Sequence, residues 1–266
     1  MLTDVIYMAG IAAAAIAAYA AAALSRSGMI AAFAVGMSVE LGFHLPGLLL
    51  LGAFFVSSSL LSKIKAKKKR KAEKITEKGS RRDAVQVLAN GGASAVFSLL
   101  YWLHPSQMFL LLFIVCLAAA NSDTWASEIG VLSKKRPWHL LKFKKAERGT
   151  SGAVSLTGTI AAISGSLFIA LLSMVLFKEL TIDLMLKTAL SGFIGCLADT
   201  LLGGSVQAEY ICHTCGGRTE KTFHCGEKTI LDKGISWVNN DVVNAASIMI
   251  AALCLFIITT RITVYN

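Results

Sequence analysis

The chain has 266 residues, of which 55% are hydrophobic and 16% charged, and its mean hydropathy is +0.63. Soluble domains carry about 25% charged residues, so this composition excludes an ordinary soluble domain and points to a membrane protein. The net charge of +10 does not call for nucleic acid as a partner, because in a membrane protein such an excess gathers in cytoplasmic loops.

Apolar runs fall near residues 4–24, 29–43, 46–62, 85–104, 107–122, 152–177, 185–203 and 240–260. They predict an all-α, polytopic integral membrane helix bundle of about eight transmembrane helices, forming one membrane domain over residues 1–266. The first run is Ala-rich, lacks a positive start and carries Asp4 as its first charge, so it reads as a retained helix rather than a cleaved signal. The second and third runs are short of the roughly 20 residues a span needs. His44-Leu-Pro46 separates them, which leaves open two tight spans or one re-entrant hairpin. The fifth run is also short and ends at an acidic motif; short or interrupted spans often mark the working centre of a membrane protein.

Charge counting orients the bundle. Eleven Lys or Arg lie in the basic loop at 63–82, seven between Lys134 and Arg148, four between Gly204 and Lys233, and one at Arg26. With eight spans, these 23 of the 26 basic residues fall on one side, which is then the cytoplasm, and both termini face away from it. In a bacterium the membrane would be the cell membrane.

Three acidic motifs sit at helix ends on that same side. They are Asn121-Ser-Asp-Thr-Trp-Ala-Ser-Glu-Ile-Gly130, Leu197-Ala-Asp-Thr-Leu-Leu-Gly-Gly204 and Trp237-Val-Asn-Asn-Asp-Val-Val-Asn244. An ionised side chain within a bilayer is costly by about 3 kcal/mol or more unless it is paired, hydrated or bound to metal. If 123–128 is helical, Asp123 faces Ser127 and Thr124 faces Glu128 at i,i+4, and Gly130 ends the helix. Asp199 and Gly203 repeat that spacing, and Asn240, Asp241 and Asn244 share a face. Such oxygens suit magnesium, which bridges protein carboxylates and substrate phosphates, with Asp123, Asp199 and Asp241 as its ligands. Helix capping accounts for any single motif; three on one side favour a shared site. Phe113-Ile-Val-Cys-Leu-Ala118 also echoes Phe193-Ile-Gly-Cys-Leu-Ala198, although the spacers to the following Asp-Thr pairs differ in length.

After the first motif, a basic stretch leads into Gly149-Thr-Ser-Gly152, which is expected to open an apolar helix at Ala153. Amides at a helix start bind phosphate, and glycine lets it come close. Lys145 and Arg148 would add charge. The stretch is not a Walker A motif, and the same residue types cap ordinary helices. Upstream, Arg82, Gln86 and Asn90 form a polar stripe entering a span, suited to an acceptor path; a snorkelling arginine beside a close-packed Gly-Gly is the plainer alternative.

The loop at 204–238 carries Cys212-His-Thr-Cys215 and His224-Cys225. This reads as a small knuckle for a structural zinc, with Cys212, Cys215, Cys225 and either His224 or His213 as ligands. Reduced thiols in a cytoplasmic loop are the alternative. Cys116, Cys196 and Cys254 lie in apolar runs and read as small core residues.

Several of these segments, in this order, resemble a known membrane family. They are Gln86-Val-Leu-Ala-Asn-Gly91, Ser122-Asp-Thr-Trp-Ala-Ser-Glu128, Gly149-Thr-Ser-Gly-Ala-Val-Ser-Leu-Thr-Gly158, Ala198-Asp-Thr-Leu-Leu-Gly-Gly-Ser205, and His224-Cys-Gly226 followed by Trp237 through Asn244. The family comprises integral-membrane prenyl-phosphate kinases, including plant phytyl-phosphate kinase and transmembrane protein nineteen of animals, and was once grouped as a domain of unknown function. Thr150-Ser-Gly152 departs from the Asn-Gly-Gly-like stretch expected there. A more distant likeness is to phytol and dolichol kinases, which use CTP. The resemblance implies phosphoryl transfer from CTP or another nucleotide to a prenyl monophosphate. Asp123, Glu128, Asp199 and Asp241 would be catalytic. Thr124, Ser127, Lys145, Arg148, Gly149, Thr150, Ser151, Gly152, Asn240 and Asn244 would hold nucleotide phosphates, and Arg82, Gln86 and Asn90 the acceptor. A prenol kinase, a cytidylyltransferase forming a CDP-lipid, and a lipid-phosphate transporter or flippase are the alternatives. Lipid chain length, nucleotide preference and oligomeric state stay open.

Overall fold

The structure, a computed structural model, describes residues 2–64, 81–147 and 149–263. Residues 65–80 of the basic loop, and Arg148, lie outside the described residues. Helices α1 (Leu2–Ala20), α2 (Arg26–Ile64), α3 (Ala84–Leu103), α4 (Gln107–Gly130), α5 (Leu156–Leu176), α6 (Ile182–Ser205) and α7 (Asn240–Thr263) make up the bundle. Six of them, α2 to α7, are long and apolar enough to cross a membrane, and α1 is a shorter apolar helix. Every apolar run identified in the sequence is helical over most of its length, the exceptions including residues 21–24 and 152–155.

Contacts trace the path of the chain at His44. His44 leaves helical geometry, with φ 49° and ψ −145°. Gly28, near the start of α2, lies against the Arg82 backbone, while Ser59, near its end, accepts a hydrogen bond from Arg82 Nη1 at 3.2 Å. A straight helix would hold residues 28 and 59 about 46 Å apart, so α2 must fold back on itself. Its first arm runs beside α3, from Gly28 near Arg82 to Gly42 near Ser98, and therefore matches that span in length. The runs at 29–43 and 46–62 are thus two antiparallel arms joined by a tight reversal. Pro46 follows the break, at a first-turn position that tolerates a residue lacking an N–H.

Helix α4 lies at the centre. All thirteen residues from Leu110 to Ser122 are buried, as expected of a helix that is apolar all round. Around it the other helices approach closely through small residues. A Cβ at Gly195 would lie 2.9 Å from Ala251 Cβ and 3.0 Å from Ala119 Cβ, so α4, α6 and α7 meet where only glycine fits. Interhelical hydrogen bonds reinforce the contacts: Asn121 Nδ2 donates to the Gly165 carbonyl at 2.7 Å, and Ser122 Oγ to that of Ala162 at 2.8 Å. At one end Phe43 packs on Tyr101 and Phe113, each with ring centroids 4.5 Å away. The helix connections at this end, residues 104–106 and 177–181, are short.

Among the described residues, the long connections lie at the opposite end. Between α4 and α5, strands β1 (Trp138–His139), β2 (Lys144–Lys145) and β3 (Ala153–Val154) form a sheet in the order β2-β1-β3. Between α6 and α7, β4 (Glu209–Ile211), β5 (Arg218–Thr219) and β8 (Ile230–Lys233) form a second sheet, and β6 (Phe223–His224) pairs with β7 (Glu227–Lys228) as a hairpin. These small sheets are additions to the all-α expectation. Helices α4 and α6, which bear the echoed sequences, both run toward this end and therefore lie parallel.

Candidate functional site

At the loop-bearing end the helices enclose a cavity of about 420 Å³. Arg82, Gln86 and Asn90 reach it from the start of α3. Asp123, Thr124, Ser127 and Glu128 come from the last turns of α4, and Asp199 from α6. Asn240, Asp241 and Asn244 come from the first turns of α7, and residues 149–152 close one side. Of the residues singled out in the sequence for substrate binding or catalysis, Lys145 does not join this set. It is exposed on β2, an edge strand separated by β1 from β3 and the turn before it. Arg148 lies outside the described residues.

The first two acidic motifs are not helix caps. Asp123 and Glu128 lie within α4, which runs without a break to Gly130, and Asp199 lies within α6. The fifth apolar run is therefore not a short span; the motif completes it. At α7 the capping role falls to Asn239, whose Oδ1 accepts from the Asp241 and Val242 amides, each at 3.1 Å. Asp241, in the first turn, is 5% exposed.

Serines and amides steady the carboxylates. Ser62 donates to Glu128 Oε1 at 2.7 Å. Ser247 Oγ donates to Asp199 Oδ2 at 3.3 Å, and Asn244, with its amide turned to donate, lies 3.0 Å from the same oxygen. Asp199 also feels the negative charges of Asp123 and Glu220. Among the described lining residues, five are acidic (Asp123, Glu128, Asp199, Glu220 and Asp241) and Arg82 alone is a Lys or Arg. Burial lowers the pKa of Arg82, yet a guanidinium keeps its proton in proteins. Among the described lining residues acidic groups therefore predominate; of the two basic residues expected at phosphate, Lys145 is not a lining residue and Arg148 lies outside the described residues. Among the described residues these carboxylates do not form a close-set group of three metal ligands; they line one cavity, and oxygens of this kind suit a hard divalent cation that also takes oxygens from substrate phosphates.

Arg82 does not share a helical stripe with Gln86, because α3 begins only at Ala84. Asp83 caps the helix: its Oδ1 accepts from the Gln86 amide at 2.9 Å, and Gln86 Oε1 accepts from the Asp83 amide at 3.1 Å. Asp-x-x-Gln is a variant of the capping box, so part of the polar signal here is structural. Asn90 Nδ2 likewise donates to the Gln86 carbonyl at 3.0 Å.

The glycine turn also differs from expectation. Ala153 is in a strand, and α5 starts at Leu156 behind the N-cap Ser155, which accepts from the Gly158 amide at 3.1 Å. Residues 149–152 therefore form a separate turn, with Gly149 at φ 86° and Gly152 at φ 83°. At Gly152 this left-handed backbone, which glycine adopts without strain, coincides with a tight approach to the Gly204 backbone and to His139. The turn at 149–152 is thus pressed against the end of α6.

Several lining residues were missed, among them Glu220, Ser62 and Cys196. Glu220 arrives from the Cys/His loop, accepting from Gln207 Nε2 at 2.8 Å and from Ser151 Oγ at 3.2 Å. Nothing in the sequence marks it, because its partners are remote in the chain. Ser62 ends an apolar run and carried no signal either. Cys196 is buried as expected of a core residue but also borders the cavity.

The Cys/His loop forms a compact cluster. One ligand atom from each of Cys212, Cys215, His224 and Cys225 can be chosen so that all four lie within 4.8 Å of one another. His224 Nδ1 is 3.6 Å from Cys215 Sγ and 3.2 Å from Cys225 Sγ. A tetrahedral zinc with bonds of about 2.3 Å to sulfur and 2.0–2.1 Å to nitrogen sets S···N near 3.6 Å, so the donor set fits that ion. Of the two candidate histidines, His224 is the one in the cluster. Hydrogen bonding, first with His224, lowers the Cys212 thiol to about 6. Nearby, burial lowers the pKa of Lys233, whose Nζ donates to the Gly203 carbonyl at 3.4 Å.

Comparison with known proteins places this architecture. The family model described as "Integral membrane protein DUF92" matches residues 9–252. Protein PGR of Arabidopsis thaliana is 31% identical over 261 residues, covering 88% of each chain. The uncharacterized membrane protein MJ0933 of Methanocaldococcus jannaschii is 34% identical over 180 residues, 68% of this chain and 73% of its own. Protein VTE6, chloroplastic, also of Arabidopsis thaliana, is 30% identical over 236 residues, 86% of this chain and 63% of its own. No solved structure matches.

Proposed function

The chain belongs to the DUF92 family of integral membrane proteins, and from that premise we propose that it is a prenyl-phosphate kinase. It would transfer the terminal phosphoryl group of CTP or another nucleoside triphosphate to a prenyl monophosphate, giving the diphosphate. The cavity would face the cytoplasm, where the nucleotide is found. The relationship to protein VTE6 and the resemblance of the motifs to phytyl-phosphate kinase support the reaction class.

The observation that carries the reading is the acidic cavity at one end of an apolar bundle. Two phosphate-bearing substrates cannot approach five carboxylates without intervening cations. Asp123, Asp199 and Asp241 would hold magnesium, which when bound neutralises the phosphate oxygens and the charge developing on them. Asn240 and Asn244 add neutral polar groups beside these carboxylates. The turn at 149–152 lets phosphate oxygens approach the backbone, with Ser151 held by Glu220. Arg82, also a lining residue, would pair with the acceptor phosphate, with Gln86 and Asn90 as further polar groups for the acceptor.

In the reaction, an oxygen of the acceptor phosphate attacks the terminal phosphorus of the nucleotide. The bond to the bridging oxygen breaks, and the nucleoside diphosphate leaves with the electron pair. The acceptor oxygen is already anionic, so no general base is required, and positioning with charge neutralisation suffices.

The test is to incubate the purified protein with magnesium, labelled CTP, ATP or GTP, and prenyl monophosphates of several lengths. Formation of the prenyl diphosphate is expected. Incorporation of CMP with release of pyrophosphate would instead identify a cytidylyltransferase, and the absence of diphosphate with every nucleotide would end the kinase reading.

A further inference from the structure

We propose that Cys212, Cys215, His224 and Cys225 bind one structural zinc ion, and that this ion holds Glu220 at the cavity. The proposal does not depend on the reaction the cavity performs.

Three observations lead to it. The four ligand atoms lie within 4.8 Å of one another, with nitrogen–sulfur separations close to those of a tetrahedral site. The backbone is also shaped to present them. Cys212 and Cys215 flank a tight turn in which the Gly216 amide donates to the Cys212 carbonyl at 2.8 Å. His224 and Cys225 sit at the tip of the β6–β7 hairpin, whose two central residues, Cys225 and Gly226, have φ 53° and 84°. Positive φ at both positions is the signature of the two-residue hairpin turn that matches strand twist. Cysteine adopts such a conformation less readily than glycine or asparagine, so its presence there is explained by its sulfur.

The third observation is that this lobe lacks a core of its own. Between Cys212 and Thr229, the buried residues are Cys212 and Thr219 alone, among the described residues. Strands of two residues without an apolar core are held only weakly by their own hydrogen bonds, and small lobes of this kind commonly rely on a metal.

The position of Glu220 gives the ion its consequence. One pair of ligands precedes Glu220 and the other follows it, so a bound zinc closes the chain into a loop with Glu220 inside. That closure removes much of the freedom of the segment and keeps the Glu220 carboxylate against Ser151 of the glycine turn and Gln207 at the end of α6. Thr229 Oγ1 donating to the Lys221 carbonyl at 2.7 Å, and Arg218 paired with Asp232 at 3.1 Å, tie the same segment to β8.

The experiment is metal analysis of the full chain, purified in detergent without added metal, followed by hydrogen exchange before and after chelation. Stoichiometric zinc is expected in the unaltered protein and its loss in the double variant C212S/C215S. In the control C254S zinc should remain. The variant H224C, which keeps four donors, should still bind zinc, so failure of the serine variant to fold would not leave the site untested. Cobalt(II) in place of zinc should give the visible absorption of a tetrahedral thiolate site. Chelation should raise exchange over residues 216–223 at least tenfold while the membrane helices stay protected. Absence of stoichiometric zinc, or its retention in C212S/C215S, would overturn the site. Unchanged exchange at 216–223 after zinc removal would overturn the positioning of Glu220.

Discussion

At the scale of single residues, the cavity depends on carboxylates placed inside helices rather than at their caps. Replacing Asp123 or Asp199 by Asn removes a charge while preserving shape. Each change is expected to lower diphosphate formation about 10²–10³-fold, the usual range for removing one electrostatic contributor to a transition state, with unfolding temperature and elution volume unchanged. Gly152 is sensitive in another way. Its φ of 83° and its contact with the Gly204 backbone leave no room for a side chain, so Gly152→Ala should destabilise the protein by about 1–3 kcal/mol, measurable by thermal unfolding in detergent. Both the acidic motifs and the glycines were legible in the sequence, because their residue types are costly or unusual where they stand. Glu220 was not legible. An acidic residue in a polar loop is unremarkable until Ser151 and Gln207, remote in the chain, are seen to donate to it.

At the scale of elements, α4 explains why the site is held firmly. It is enclosed by its neighbours over thirteen consecutive residues, so the turns that follow, bearing Asp123 and Glu128, continue a rigid rod. Its contact with α6 and α7 at Gly195 leaves no space for a larger side chain, and Gly195→Leu should destabilise the bundle by about 1–3 kcal/mol through overpacking. The same unfolding measurement checks this, and a change within 0.5 kcal/mol, typical of substitution at an exposed site, would show that the helices part there. Hydropathy alone located α4 but ended it at residue 122, because the motif's polar residues interrupt the apolar run. The helix continues because Ser122 and Thr124 donate to backbone carbonyls, at Ala162 and Ala120, and the carboxylates open into the cavity instead of lipid. The glycine turn shows the reverse case. Gly149 to Gly152 looked like a helix start, but Ser155 supplies the cap and β1 pairs with the intervening residues of β3.

At the scale of the whole molecule, the structure separates two ends. One has short connections and an aromatic cluster. The other has the described basic residues of the α4–α5 connection, the small sheets and the cavity. Residues 2 and 263 lie at the short-loop end, since α1 runs toward the cavity end and α7 runs away from it. If the basic loops face the cytoplasm, as their charge favours, alkaline phosphatase fused after residue 263 should be active on the outer side of a bacterial cell, and the same enzyme inserted in the loop at 65–80 should be inactive. The opposite pattern would reverse the orientation and place the cavity where nucleotide is scarce.

The helical membrane class, the rough positions of the apolar helices and the membership of an integral membrane family were readable in one dimension, although six helices rather than eight are each long and apolar enough to cross a membrane. A bilayer imposes a length on every apolar run and a sign bias on every short loop, and both act on residues adjacent in the chain. Folding in three dimensions settled the rest: the reversal of α2 at His44, the exclusion of Lys145, the entry of Glu220, and the choice of His224 over His213. Each depends on contacts between segments tens of residues apart, such as Ser62 with Glu128 or Ser151 with Glu220. Such contacts follow from helix packing and loop closure, which no local pattern of hydropathy or charge encodes.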